Sequence, residues 1–313
     1  RDAREDFGTN PCSEIILRSR QFCNLSEVVV REGDTQATIK DKIKFATILG
    51  TMQSTLTDFK YLGTEWTKNC EEERLLGVSL TGIMDNELTS YPTMGMLEDF
   101  KKVAVKTNQE WAKKLNINPS SAITCVKPSG TVSQLCNSAS GIHARHSTYY
   151  IRRVRMDKKD PLSKFMVEKG FPCEEDVMNN SNMVFSFPMQ SPLRSVKRND
   201  MTAIEQLQTW QMYAEHWCEH KPSVTISVRE DEWVDVGAWV YDHFDSISGI
   251  SFLPHSDHSY QQAPYEECDE QTYIEMVSKV PMITWNELSD YEKEDYTTSS
   301  QELACTGNAC EVI

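Results

Sequence analysis

The residues best equipped for chemistry lie near the start of the chain, in GTNPCSEIILRSRQFCNL (residues 8–25). Cys12 stands between Asn10 and Glu14 there, and Cys23 follows eleven positions later. In an extended segment, side chains at positions 10, 12 and 14 point to one face, with Pro11 and Ser13 turned away. An amide can hold a hydroxyl, a carboxylate can take a proton from one, and a thiol between them can exchange electrons or hydrogen. The arrangement suits a sugar diol. Taken alone, N-x-C-x-E is a short motif of the kind that recurs by accident. Cys23 alone would read as a small buried hydrophobe, but its closeness in sequence lets it work beside Cys12.

A second pair of thiols, Cys305 and Cys310, closes the chain in ACTGNACEVI, with Gly307 and Asn308 as turn-forming residues between them. A loop this short costs little entropy to close. Such a dithiol can swing to an internal disulfide, reduce it by thiol exchange, and present its own disulfide to an outside reductant. As metal ligands the two lack further donors at a recognisable spacing. SAITCVKPSGTVSQL (residues 121–135) reads as a strand over Ile123–Val126, a Pro-Ser-Gly turn and a helix from near Thr131. Gly130 permits close backbone approach there. Ser129, Thr131 and Ser133 set hydroxyls beside the unpaired N–H groups of the helix start, with Val132 among them, which is phosphate-binding chemistry. Neither a Walker A nor a dinucleotide fingerprint is present, and ordinary capping would use the same residue types.

These segments must be positioned by a folded core. With 313 residues and 39% hydrophobic content the chain can build one large or two ordinary domains. Apolar spacing predicts helices over 41–59 (Ile43, Ala46, Leu49, Met52, Leu56, Phe59) and 96–115 (Leu97, Phe100, Ala104, Trp111, Leu115). The Thr202/Glu205 capping box opens a third, carrying Leu207, Trp210, Ala214 and Trp217, and SVTISV alternates as a strand. Helices alternating with strands favour a mixed α/β core. From about Leu288 the apolar periodicity fades into an acidic, polar stretch that reads as a mobile tail.

Charge and cysteine usage narrow the function. The formal net charge is −15 with no basic stripe, so polymeric nucleic acid is not an expected partner. No apolar run reaches membrane-spanning length and no signal peptide pattern opens the chain. The expectation is a soluble, cytoplasmic protein with most of its ten cysteines reduced. His216 and His220 in HWCEH have a chelating spacing but no H-E-x-x-H pattern, and with His255 and His258 they read as surface or loop residues. Residue 1 is Arg, within RDAREDFG, which suggests a piece of something longer.

Together GTNPCSEI, CNLSEV, KPSGTVSQL, SASGIHARHSTYYIRRVR and the terminal CTGNAC, in this order, resemble the catalytic subunit of ribonucleotide reductases. The resemblance runs from about residue 8 to the end and implies the C-terminal portion (1–287) of a ten-stranded α/β barrel, followed by a redox tail (288–313). It implies that Cys12 becomes a thiyl radical and removes the 3′ hydrogen of the ribose. By the same resemblance Glu14 is the base at the 3′ hydroxyl, Asn10 bonds the sugar hydroxyls, and Cys23 is one member of the dithiol that reduces the 2′ position. Cys305 and Cys310 regenerate that dithiol, and Ser129, Gly130, Thr131, Val132 and Ser133 cradle the substrate phosphates.

The short gap between Cys12 and Cys23 resembles the adenosylcobalamin-dependent class, whose monomeric members act on ribonucleoside triphosphates. The cofactor then carries the radical chemistry. Implied partners are a ribonucleotide, a thioredoxin-like or glutaredoxin-like reductant, and an N-terminal reductase polypeptide holding the second active-site cysteine. Cys70, Cys125, Cys136, Cys173, Cys218 and Cys268 do not match that cysteine's place in the order. Tyr149 and Tyr150 suggest a radical relay, but they precede IRRVR as in the cobalamin pattern and are assigned to packing. The rival readings are an oxygen-dependent catalytic subunit and a non-catalytic nucleotide-binding fragment. The intact thiols argue against the second.

Overall fold

The computed structural model describes residues 6–255 and 260–294. His258, Cys305 and Cys310 therefore lie outside the described residues. In chain order the first elements are β1 (Phe7–Thr9), β2 (Ile16–Arg18), β3 (Asn24–Val29), α1 (Gln36–Gln53), α2 (Thr64–Glu73), β4 (Leu76–Thr81), α3 (Glu87–Ser90) and α4 (Met94–Leu115). Then come β5 (Thr124–Cys125), α5 (Gly130–Leu135), β6 (Tyr149–Asp157), α6 (Pro161–Glu168), β7 (Cys173–Glu175) and β8 (Asn182–Gln190). The last are α7 (Ala203–His216), β9 (Val224–Val228), α8 (Trp233–Asp242), β10 (Ile250–Pro254), β11 (Tyr265–Glu267) and α9 (Glu270–Lys279). They fall into two units, one of residues 6–145 and 194–255, the other of 146–193 and 260–294.

The first unit is built on parallel strands. β3, β4 and β5 form one parallel sheet and β9 and β10 a parallel pair. A parallel bridge between Val126 and Pro222 joins them, with the Ser223 N–H donating to the Val126 carbonyl at 2.9 Å. Five parallel strands thus follow one another in sequence order, with helices in the crossovers, as α/β architecture requires. Every residue of β4 is buried, as expected of a central parallel strand covered on both faces. Ile39 and Ile43 of α1, Leu97, Phe100 and Ala104 of α4, and Leu207, Trp210 and Tyr213 of α7 pack on the sheet in one core.

Two of the three expected helices stand close to where periodicity puts them, and the Thr202/Glu205 capping box is formed. The first is displaced. α1 begins at Gln36, because Thr35 and Thr38 cap each other, and it ends at Gln53. Its inward face runs through Ile39, Ile43, Ala46 and Gly50. A Cβ on Gly50 would lie 3.4 Å from a Leu76 methyl, so the helix approaches β4 closely along this line. Leu49 and Leu56, expected inside, are 62% and 73% exposed. The paired histidines are also corrected. α7 stops at His216, and His220 lies beyond it, buried rather than on the surface.

The second unit is an antiparallel sheet in the order β11-β6-β8-β7, packed through Phe165, Met166, Phe171 and Phe185. Leu288 and Tyr291 join this cluster. Tyr150 is buried against the His146 and Tyr265 rings, and Tyr149 packs on Tyr273. Among the described residues no helix is long and apolar enough to cross a membrane.

Candidate functional site

The thiol segment is a hairpin, not an extended run. β1 and β2 pair antiparallel, from Phe7 opposite Arg18 to Thr9 opposite Ile16, and residues 10–15 make the tip. The Ser13 N–H donates to the Asn10 carbonyl at 2.9 Å, and Ser13 takes a left-handed φ of 64°. Positive φ is unusual for a residue with a side chain and clusters at functional turns. The Asn10 side chain closes the turn by accepting from the Ile15 N–H at 3.1 Å.

The expected convergence is present, through the turn instead of through alternation. Asn10 Nδ2 donates to Glu14 Oε1 at 2.8 Å. Lys127 Nζ donates to the same oxygen at 3.1 Å and lies 3.8 Å from Cys12 Sγ. Glu14 is fully buried, yet among the described residues its Oε2 has no hydrogen-bond partner. A buried carboxylate oxygen without a donor is costly, and it marks a place where a hydroxyl can bind. Cys12 is half-buried at the tip. Burial pulls the Lys127 ammonium down, but the Glu14 carboxylate and the Cys12 sulfur outweigh it, so the amine titrates above the ordinary lysine value.

Contacts with the sheet and with α2 hold the hairpin in place. The Lys221 N–H, just before β9, donates to the Glu14 carbonyl at 3.0 Å. The Ile16 N–H donates to His220 Nδ1 at 3.4 Å, and His220 Nε2 donates in turn to the Leu76 carbonyl at 2.9 Å. Arg18 pairs with Glu72 at 3.0 Å. Cys23 lies just before β3, and its sulfur would stand 3.4 Å from a Cβ placed on Gly77 of β4. The same Cβ would meet Ile15 at 3.0 Å and run into Leu25, so only glycine leaves room for Cys23 and the hairpin base together. Cys125 is buried, and burial, then Cys218, Cys23 and Glu14, push its thiol well above the usual value. A thiol so held is inert.

The Pro-Ser-Gly turn leads into α5 at Gly130, one residue before the expected start, and β5 is shorter than Ile123–Val126. Ser129 occupies the cap position with φ 52°, and its hydroxyl donates to Glu27 Oε2 of β3 at 2.7 Å. Burial raises the Glu27 carboxyl above its ordinary value, against the lowering effects of Ser129 and Lys127. Thr131 and Val132 are exposed, while Ser133 is buried with its hydroxyl 3.5 Å from the Gly130 carbonyl.

The segment after α5 is tied down by a buried ion pair. Arg145 donates through Nε and Nη2 to the two Asp85 oxygens, each at 2.8 Å, and the Ala139 N–H donates to Asp85 Oδ2 at 2.8 Å. Gly141, with φ 55°, packs so closely on the Lys127 carbonyl that a Cβ would collide with it. His143 donates from Nδ1 to the Ser140 carbonyl at 2.9 Å and accepts from the Thr225 N–H at Nε2, 3.0 Å. Reading the sequence missed Lys127, although it immediately precedes the Pro-Ser-Gly turn. It also missed Glu27, which stands four residues after Cys23.

No family model matches the chain. The chain is similar to the adenosylcobalamin-dependent ribonucleoside-triphosphate reductase of Lactobacillus acidophilus, 27% identical over 341 residues, covering 97% of this chain and 45% of the relative. Similarity to the enzyme of the same description from Lactobacillus leichmannii is likewise 27% identity, with 97% and 45% coverage. The chain therefore spans a little under half the length of the curated relatives it matches. Among solved structures, a B12-dependent (class II) ribonucleotide reductase superposes with a TM-score of 0.78 at 24% identity. That match covers 92% of this chain and 44% of the other, and it supports the fold.

Proposed function

We propose that the chain is the C-terminal part of the catalytic barrel of an adenosylcobalamin-dependent ribonucleoside-triphosphate reductase. The observation that carries this reading is the hairpin tip. Asn10 and Lys127 occupy one oxygen of Glu14, the other oxygen is buried without a partner among the described residues, and the Cys12 sulfur stands beside them. The half-exposed Cys12 thiol, at a tip that other groups can approach, fits a cofactor that takes a hydrogen atom from sulfur. Adenosylcobalamin supplies that radical chemistry when bound.

In this reading Cys12 removes the 3′ hydrogen of the ribose while Glu14 Oε2 accepts the proton of the 3′ hydroxyl. Asn10 keeps the carboxylate turned for that transfer and bonds the sugar hydroxyls. A general base must lie within hydrogen-bond reach of its proton, and a buried oxygen with no competing donor meets that need. The 2′ hydroxyl takes a proton from the thiol pair and leaves as water. Two electrons and a further proton come from Cys23 and a thiol of the remaining part of the reductase, which are left as a disulfide, and Cys12 returns the hydrogen to the 3′ carbon. Cys305 and Cys310 return that disulfide to thiols by exchange and are themselves reduced by a thioredoxin-like or glutaredoxin-like protein. The turn from Ser129 to Ser133 receives the triphosphate, with Thr131 and Val132 exposed at its outer side.

The test combines the chain with the rest of its reductase, adenosylcobalamin, a ribonucleoside triphosphate and a small dithiol, and measures deoxynucleotide formed. Cys12→Ser is expected to abolish both product and the cobalt(II)-coupled radical signal. Product formed without the cobalamin, or by Cys12→Ser, would overturn the reading.

A further inference from the structure

We propose that Lys127 is a positioning residue of this site, its one ammonium holding the Glu14 carboxylate and the Cys12 sulfur in register for the reaction. The side chain donates to Glu14 Oε1 at 3.1 Å and approaches Cys12 Sγ at 3.8 Å. With the Asn10 amide on the same Oε1 at 2.8 Å, that oxygen is occupied, and only Oε2 can meet a substrate hydroxyl. The cation thereby selects which carboxylate oxygen works. It also offsets the cost of keeping a fully buried carboxylate charged.

The backbone of Lys127 is held as firmly as its head group. Its N–H donates to Ser79 Oγ of β4 at 2.9 Å, and Gly141 closes on its carbonyl in a contact that no side chain would allow. Pro128 then fixes the next φ, and Ser129 opens the turn proposed to receive phosphate. One residue, Pro128, separates Lys127 from that turn. A shift of the turn on loading phosphate is transmitted to the base and the thiol through Lys127.

One arm of the test needs no reductase activity. In the full chain, the rate of Cys12 alkylation by iodoacetamide, followed at peptide level by mass spectrometry, reports the charge beside the sulfur. An adjacent ammonium favours thiolate, so Lys127→Met and Lys127→Gln should slow alkylation near neutral pH by roughly three- to ten-fold and move its pH profile upward. Lys127→Arg should restore most of the rate. Equal rates in wild type and both neutral variants, with unchanged circular dichroism, would overturn the proposal.

The second arm rests on the proposed reductase function. In the assembled enzyme Lys127→Met is expected to lower kcat about ten-fold or more while KM for the triphosphate changes by less than about three-fold, as for a group acting in the transition state. A raised KM at unchanged kcat would make Lys127 a phosphate ligand and overturn the positioning role. Wild-type enzyme without reductase activity would instead sink the functional reading, and the alkylation arm would still decide whether Lys127 controls Cys12.

Discussion

At the residue scale the site depends on a few hydrogen bonds with no substitutes. Asn10 both closes the hairpin turn and holds Glu14, so Asn10→Ala should loosen both. Its expected effect is a kcat loss of at least ten-fold in the assembled enzyme, with a stability loss of about 1 kcal/mol by urea unfolding. Asn10, Cys12 and Glu14 were legible as a group, but the reason given for their meeting was wrong. Alternation along a strand would bring them together, and so does a tight turn with a left-handed Ser13. Only the hydrogen bonds distinguish the two.

His143 adds a pH dependence. Desolvation of its half-buried ring holds the imidazole below its ordinary value, against the opposing bond to the Ser140 carbonyl. As pH falls below about 6.5, the unfolded chain takes up the proton first, so stability present above that value declines until the folded-state value is passed. Wild type should lose more stability than His143→Gln between pH 7.5 and pH 5.5 (about two pH units across the window), measured by urea unfolding at each pH.

At the scale of elements, the Pro-Ser-Gly turn and the hairpin base are held by partners that sequence patterns do not display. The buried Asp85–Arg145 pair fixes the segment after α5 from a loop 60 residues upstream. Arg145→Met leaves a buried carboxylate unpaired, with an expected cost of about 3–5 kcal/mol. A urea midpoint shifted by far less would place Arg145 outside the structural core. Gly77→Ala, on a buried strand against Ile15, Leu25 and Cys23, should cost about 1–3 kcal/mol by overpacking. The helices α4 and α7 were readable because their apolar residues repeat on one face, and α7 announces its own start. α1 was misplaced because its close approach to β4 runs through Gly50, Thr47 and Thr51, which do not count as apolar, while Leu49 and Met52 lie outside. The antiparallel unit left no signature, since the half-buried β6 carries Arg152, Arg153 and Arg155 where alternation would be sought.

At the scale of the whole molecule, the resemblance carried by five ordered motifs agrees with a sheet of parallel strands in sequence order and with relatives matching nearly the full chain. Composition and periodicity alone reached only a mixed α/β core. For the electron supply, Cys305→Ser with Cys310→Ser should abolish turnover driven by thioredoxin-like proteins and spare turnover with a small dithiol that reaches the site directly. Equal loss with both reductants would remove the tail pair from the reaction. The anchoring of the hairpin to Lys221 and His220 has one more consequence, which concerns the order of events during synthesis. Pairing three residues on each side does not hold a hairpin in water, and the clamp on this one is some 200 residues downstream. A nascent chain therefore exposes Cys12 and Glu14 some 200 residues before it can complete the geometry around them, which arises only when the start of β9 reaches the sheet.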